Sequence, residues 1–261
     1  MKSFIRVAAA SVFALLVGSA AAQADLKFGV AAEPYPPFSS KDASGKWVGW
    51  EIDMMNAVCK QMNEKCELVE VAWDGIIPAL TSKQIDVIWS SMSITDERKK
   101  TINFTNMYYD TQTVIIGAKD GDKDITPEHL KGKTIGAQVS TIHERYLQKY
   151  YGAGSEIKTY QTQDEANNDL AAGRLDYVQA DGSALDAFLK TEQGQACCEF
   201  KGQVPDDPIL GEGVGGGLRK EDTELKAKFD KAISELATSG EIQKITENYP
   251  ELKPVIVLPT S

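Results

Sequence analysis

Three serines within four residues, Ser90, Ser91 and Ser93, are followed five residues later by Arg98. This set has the chemistry to hold a small anion: hydroxyl and amide donors, and a guanidinium that offers a carboxylate two parallel charge-assisted hydrogen bonds. The mostly apolar run 85–89 ahead of the serines reads as a buried strand, and in open α/β sheets ligands bind outside the carboxyl ends of strands. Taken alone, the pattern also describes a polar turn in which Thr95 caps a helix and Arg98 lies on its solvated face. A second stretch of this kind is Thr141-Ile142-His143-Glu144, which fits the capping box and follows the predicted strand 133–138. A helix amino terminus at that place turns free N–H groups toward an anion. Thr162-Gln163-Asp164-Glu165 fits the same box and reads as helix capping only.

The elements that must position these residues alternate along the chain. Apolar runs predict strands over 26–31, 68–72, 85–89, 113–118, 133–138, 157–161 and 175–180, and helical periodicity predicts helices over 51–61, 75–82, 142–151, 163–172 and 223–239. Such alternation implies an α/β fold with parallel-rich sheets flanked by helices, and the two series imply two lobes. In the last helix Leu225, Phe229, Ile233 and Leu236 share one stripe, which stops at Gly240. Gly211-Glu212-Gly213-Val214-Gly215-Gly216 has the letters of a dinucleotide fingerprint without its context, because the glycines run into Leu218-Arg219-Lys220 before any helix begins. These glycines read instead as a hinge, or as a strand that lets another backbone come close. No Gly-x-Ser-x-Gly elbow occurs, and neither His129 nor His143 has an obvious Ser or Cys partner in sequence, so a nucleophilic hydrolase is poorly supported.

Lys2 and Arg6 precede the apolar run 7–17, and Ala22-Gln23-Ala24 fits a small-x-small cleavage site. The run is shorter than the ~20 residues that span a bilayer. The expectation is a cleavable signal peptide over 1–24 and a mature chain, beginning at Asp25, that diffuses freely in the periplasm of a Gram-negative cell. Of 28 Lys and Arg, only Lys2 and Arg6 leave with the leader, so the mature chain carries 26 against 38 Asp and Glu, a net charge of −12. Phosphate binding needs a basic face, so nucleic acid is not an expected partner. Hydrophobic residues make up 42% of the chain, enough for a sizeable core.

Four cysteines in an exported chain require a redox account. Cys59 shares the apolar side of its helix with Ile52, Met55 and Met62, and Cys66 opens the next strand. A disulfide between them would staple the helix end to the strand across a short turn. Cys197 and Cys198 are adjacent; a bridge between neighbours is strained and rare, and two free thiols or an intermolecular bond are at least as well supported. The spacing is wrong for zinc and the only histidines are His129 and His143, so neither a metal nor a cofactor is expected.

Six blocks in this order resemble one family: Tyr35-Pro36-Pro37-Phe38-Ser39-Ser40-Lys41-Asp42-Ala43, Gly49-Trp50-Glu51-Ile52-Asp53, Trp73-Asp74-Gly75-Ile76-Ile77-Pro78-Ala79-Leu80, Ser90-Ser91-Met92-Ser93-Ile94-Thr95-Asp96-Glu97-Arg98, Ala172-Gly173-Arg174-Leu175-Asp176 and Gly217-Leu218-Arg219-Lys220-Glu221-Asp222-Thr223-Glu224-Leu225-Lys226. Together they are similar to the amino-acid-binding proteins of ABC importers, solute-binding protein family 3, and most similar to its periplasmic lysine/arginine/ornithine-binding and histidine-binding members. The resemblance covers nearly all of the mature chain, and Cys59 and Cys66 fall where those proteins have a disulfide. It implies a two-lobed periplasmic-binding-protein fold with lobe 1 built from 25–110 and 210–261, lobe 2 from 111–209, and crossings near 110–113 and 207–213. It also implies a monomer that binds rather than transforms its ligand and serves an inner-membrane ABC permease.

Carried over by motif, Arg98 grips the ligand α-carboxylate with the backbone N–H groups of Ser93 and Thr141. Asp181 takes the α-ammonium beside the Ser91 carbonyl, Tyr35 and Trp73 sandwich the side chain, Glu51 meets its far end, and Ser90 adds a hydroxyl. A zwitterion needs one fixed cation and one fixed anion, since each charge is desolvated when the lobes shut. Glu51 beneath an aromatic implies a cationic ligand: arginine, lysine, ornithine or histidine. The chain departs from its relatives in having Ala32 and an apparent one-residue insertion where they carry an acid, which leaves a ligand contact by Glu33 open. It also has Ile142 where they have a glutamine, which makes the second-lobe wall more apolar. A neutral polar amino acid or an opine-type derivative is the alternative ligand. A dehydratase-like secreted enzyme on the same fold, using Glu33, Glu51 or Asp181 as acid or base, is the alternative class.

Overall fold

Two five-stranded sheets collect the predicted strands in the two series read from the sequence. The computed structural model describes residues 25–259, so the signal peptide expected over 1–24 lies outside the described residues. The first sheet has the order Cys66–Val71, Leu26–Ala31, Val87–Ile88, Gly217–Leu218, Asn103–Phe104, and the second Glu156–Tyr160, Thr134–Gln138, Tyr177–Asp181, Thr113–Ala118, Cys198–Gln203. In each sheet the first three strands are parallel and the last two join antiparallel. The sheets are thus parallel on one side only. Thr113–Ala118 and Gly217–Leu218 each enter from the other sheet rather than through a crossover helix, so no connection obliges them to run parallel.

Both faces of each sheet are covered. In lobe 2, Val114 and Ile116 point to a core containing Leu170, Val178 and Leu185, while Ile115 between them points to one containing Ile135, Leu147 and Tyr177. Period-two alternation with every position buried is the signature of a sheet between two helical layers. In lobe 1 the helix Trp50–Met62 packs on Thr223–Thr238, whose Phe229, Ile233 and Leu236 are buried as the stripe predicts. Each such side chain contributes roughly 1.5–3 kcal/mol. Ile76, Leu80, Ile85 and Ile88 fill the opposite face.

The segments that cross between sheets lie side by side. Tyr108 N donates to Val214 O at 3.0 Å and Val214 N to Tyr109 O at 2.8 Å, while the strand Ile256–Val257 pairs with Asp110–Thr111. The glycine run after Leu210 does let backbones approach: a Cβ on Gly211 would sit 2.5 Å from the Ile94 carbonyl oxygen. Cys59 and Cys66 are joined as expected. Cys197 and Cys198 are also joined, where the sequence left a bridge, free thiols and an intermolecular bond open. The junction between helix Glu192–Cys197 and strand Cys198–Gln203 falls between them, and the change of backbone there brings the sulfurs together.

Candidate functional site

Strand ends converge on one cavity. Ala31 ends Leu26–Ala31, Gln138 ends Thr134–Gln138 and Asp181 ends Tyr177–Asp181, and all three line an interlobe cavity whose empty space, counted out into open solvent, is about 480 Å³. This is the carboxyl-end placement expected of open α/β sheets.

Lobe 1 supplies the serines and Arg98. Beyond Val87–Ile88 the chain turns through Ser91 at φ 50°, a left-handed conformation that a non-glycine residue adopts only when its surroundings hold it. The holding group is Glu51, whose carboxylate accepts from Ser91 N at 2.7 Å and from Ser91 Oγ at 3.0 Å. Ser90 Oγ accepts from Ala31 N at 3.0 Å, which fixes the serines to the neighbouring strand end. Thr95 caps the short helix Asp96–Lys99 by accepting from Arg98 N at 3.2 Å, as the polar-turn reading anticipated. The guanidinium, however, is not solvated. Arg98 is 6% exposed; Nη1 donates to Ser93 O at 2.9 Å and Nη2 to Ser140 O at 3.3 Å, with the Trp73 ring 5.5 Å away. Both bonds go to carbonyls, neither to a carboxylate. Burial first, and repulsion from Arg145 second, lower the Arg98 guanidinium from its ordinary value to about 9, against the opposing pull of Asp181.

Lobe 2 brings the start of the helix Ile142–Tyr150 to the opposite wall. Thr141 caps it, accepting from Glu144 N at 3.2 Å and donating to Gln138 O at 2.7 Å. Glu144 reaches back to Ser140 N at 2.6 Å, one residue short of Thr141, so the reciprocal box does not close on the Thr141 amide. At Thr162 and Glu165 both halves of the box form. The first turn of Ile142–Tyr150 also presents Ile142, the apolar wall residue, and His143.

Asp181 is 7% exposed. Its Oδ2 accepts from Tyr35 Oη–H at 2.7 Å and its Oδ1 lies 3.2 Å from His143 Nε2. It stands at the N-cap of helix Gly182–Leu189, yet its side chain makes no capping bond and turns to the cleft. Burial first, and the Asp181 charge second, hold the Tyr35 phenol well above its usual range, so it acts as a donor. Glu33 Oε1 accepts from Gln138 Nε2 at 3.1 Å and from Trp73 N at 3.3 Å. Tyr35 to Asp181, Arg98 to Ser140 and Gln138 to Glu33 are therefore three hydrogen bonds that span the two lobes.

Tyr35, Trp73, Ser90, Ser91, Ser93, Arg98, Thr141 and Asp181 all line the cavity. Glu51 does not, and its expected place at the far end of the ligand is corrected. It is 0% exposed beneath the floor, engaged by both donors of Ser91 and by Tyr108 Oη–H, and its backbone carbonyl accepts from Trp89 Nε1 at 2.9 Å. Burial raises its pKa while those donors oppose the rise, Tyr108 most strongly. A carboxylate spent in this way sets the Ser91 turn. We expect Glu51→Gln to lower stability by about 2 kcal/mol, since it turns one acceptor into a donor facing donors. Ligand affinities should fall by the same factor for cationic and neutral amino acids, as titration of both with the variant would show.

Sequence reasoning missed Gln138, His143 and Gln163, which line the same cavity, and left Glu33 open. Gln138 was within reach, since it ends a strand just as Asp181 does. His143 is carried in by the same turn as Thr141, but the sequence gives no sign that its ring meets Asp181.

Two lobes on paired crossing segments, shut over a buried guanidinium and a buried carboxylate, define a ligand-capturing binding protein of the two-lobed type. Residues 26–251 match the model of the bacterial extracellular solute-binding proteins, family 3, and the chain belongs to that family. It is 40% identical over 251 residues to an L-arginine-binding protein of Pseudomonas aeruginosa, covering 95% of this chain and 96% of that one. It is 41% identical over 217 residues to the lysine/arginine/ornithine-binding periplasmic protein of Escherichia coli, covering 82% and 84% of the two chains. Among solved structures it is similar to an ancestral arginine-binding protein bound to arginine, with a TM-score of 0.79 and 35% identity over 86% of this chain and 97% of that one.

Proposed function

We propose that this protein is the periplasmic solute-binding component of an ABC importer and captures a cationic amino acid in its interlobe cavity. The observation that carries the reading is that Arg98 from lobe 1 and Asp181 from lobe 2, both buried, face one cavity that the shut lobes enclose. The relatives bearing arginine- and lysine-binding names support the ligand class. In this reading Arg98, with the Ser93 and Thr141 amides, takes the α-carboxylate. Asp181 and the Ser91 carbonyl take the α-ammonium, Tyr35 and Trp73 flank the side chain, and Ser90 braces the floor.

Glu33 takes over the role of charge reader. It lines the cavity, and both bonds it receives use Oε1, which leaves Oε2 for a ligand cation. Hydrogen bonds to charged groups contribute roughly 1.5–3 kcal/mol each, so a handful supplies the ~8 kcal/mol of a micromolar dissociation constant. Residues 25–110 with 210–261, and 111–209, move as the two bodies, and a ligand that touches both only when they are shut shifts the population toward closure. The shut form is what a permease would recognise. Export uses the leader over 1–24, and one chain supplies every site residue, so a monomer suffices.

A binding protein rather than a dehydratase-like enzyme is favoured because the relatives carry binding-protein names, and of the three acids that could serve such an enzyme Glu51 lies outside the cavity. The test is thermal unfolding of ligand-stripped mature protein against the twenty amino acids, ornithine, citrulline and representative opines, since binding to the folded state raises the midpoint. A rise confined to cationic amino acids, with ligand recovered chemically unchanged, supports the reading. A rise confined to neutral amino acids or opines overturns the specificity, and a converted ligand overturns the binding-protein role. Glu33→Gln should reduce the preference for arginine over citrulline by about tenfold, one charge-assisted bond's worth; an unchanged preference would remove Glu33 as reader.

A further inference from the structure

We propose that His143 is a positioning residue for the α-ammonium site, holding the Asp181 carboxylate in place without neutralising it. The inference rests on the reading of Asp181 as the ammonium acceptor. His143 is 4% exposed and its Nε2 lies 3.2 Å from Asp181 Oδ1, while Oδ2 is taken by the Tyr35 hydroxyl at 2.7 Å. One carboxylate thus has a neighbour at each oxygen, the Tyr35 hydroxyl bonded at Oδ2 from lobe 1 and the His143 ring within 3.2 Å of Oδ1 from lobe 2. His143 Nδ1 is buried with no hydrogen-bond partner. A proton on Nδ1 would be stranded, whereas an unprotonated Nδ1 loses less, so the geometry selects the tautomer with its proton on Nε2, the ring nitrogen 3.2 Å from Asp181 Oδ1.

The choice of partners has a consequence for binding. An arginine or lysine beside Asp181 would orient it but also cancel the charge that attracts an ammonium. A phenol and an imidazole N–H orient it as uncharged donors, so the full negative charge stays available to the ligand while carboxylate rotation is stopped. Preorganisation of this kind reduces what the ligand must spend on ordering the site. The turn that presents Thr141 to the carboxylate end also presents His143 to Asp181, so one helix start sets both poles of the zwitterion site.

The experiment compares L-arginine with 5-guanidinopentanoate, which is arginine without its α-ammonium group, on ligand-stripped mature protein by titration calorimetry. The variants are His143→Ala, His143→Leu, which keeps more bulk without a donor, and His143→Gln, which keeps a donor. The wild type should prefer arginine. In the Ala and Leu variants that preference should shrink about tenfold, the loss expected for one hydrogen bond to a charged group, while affinity for 5-guanidinopentanoate stays within about threefold; Gln should restore most of the preference. Equal weakening of both probes, or no change in their ratio, overturns the proposal and leaves His143 a packing residue. A wild type with no preference for arginine over the analogue overturns the Asp181 reading itself, and the inference with it.

Discussion

Arg98→Met is expected to abolish capture of amino acids and at the same time raise the thermal midpoint of the unliganded protein. Removing one partner of a desolvated charge pair costs 2–5 kcal/mol or more, because the other charge stays buried and unpaired; the loss here should be about 1,000-fold or greater. The gain in stability follows from what surrounds Arg98 in the shut form: it is a buried cation bonded only to carbonyls and pressed by Arg145. Its lowering to about 9 corresponds to several kcal/mol of disfavoured charge, reduced in practice by relaxation of the cleft. At ~2–4 °C per kcal/mol for a chain of this size, a rise of several degrees is measurable. The pH dependence fixes the cause. Above about 9, up to the ordinary guanidinium range, the unfolded chain binds more protons at this position than the folded one, so the wild type gains stability as pH rises there. The Arg98→Met variant lacks that gain. Its advantage should therefore be full at pH 7–8 and shrink above about pH 9; a variant that binds arginine like the wild type, or an advantage that grows above pH 9, would refute this assignment.

Asp181→Asn should weaken capture by about 100-fold or more, roughly 3 kcal/mol, with little change in the fold. The amide has nearly the shape of the carboxylate and can still accept from Tyr35, but it offers the ammonium no charge and points two N–H donors toward His143 or the ligand. The neutral substitution also keeps an acceptor for the Tyr35 hydroxyl and leaves one charge fewer buried, so the unliganded protein should keep its fold. Titration with arginine and with 5-guanidinopentanoate separates the effect: arginine should lose affinity and the analogue should not. Parallel losses for both would show that Asp181 acts by holding the cleft shut rather than by meeting the ammonium.

What could be read from the sequence, and what could not, divides along a physical line. Local patterns settled the long elements. The stripe of Phe229, Ile233 and Leu236, the capping residues Thr95, Thr141 and Thr162, and the parallel strands all follow from periodicity and short-range chemistry. The two-residue strands Asn103–Phe104 and Gly217–Leu218 carry no such signal, because partners far along the chain make them strands. Glu51 marks the limit most clearly. Its place in the first turn of a helix near the cleft was legible, but its direction is set by Ser91, 40 residues away, and Tyr108, 57 residues away, which draw the carboxylate beneath the floor. Arg98 shows the converse: the capping half of the polar-turn reading holds, since Thr95 caps the helix, but the guanidinium that this reading left on a solvated face is turned inward and buried.

The most direct test of the account is calorimetric titration of ligand-stripped mature protein with L-arginine and, separately, with L-citrulline, which has nearly the same shape without the side-chain charge. With Arg98 and Asp181 holding the amino-acid end of either ligand, the two titrations differ only at the far end, beside Glu33. The account predicts that arginine binds with a dissociation constant of about 1 μM or tighter and at least tenfold more tightly than citrulline. Equal affinities, tighter binding of citrulline, or no heat from either ligand would contradict the claim that this cavity selects a cationic amino acid.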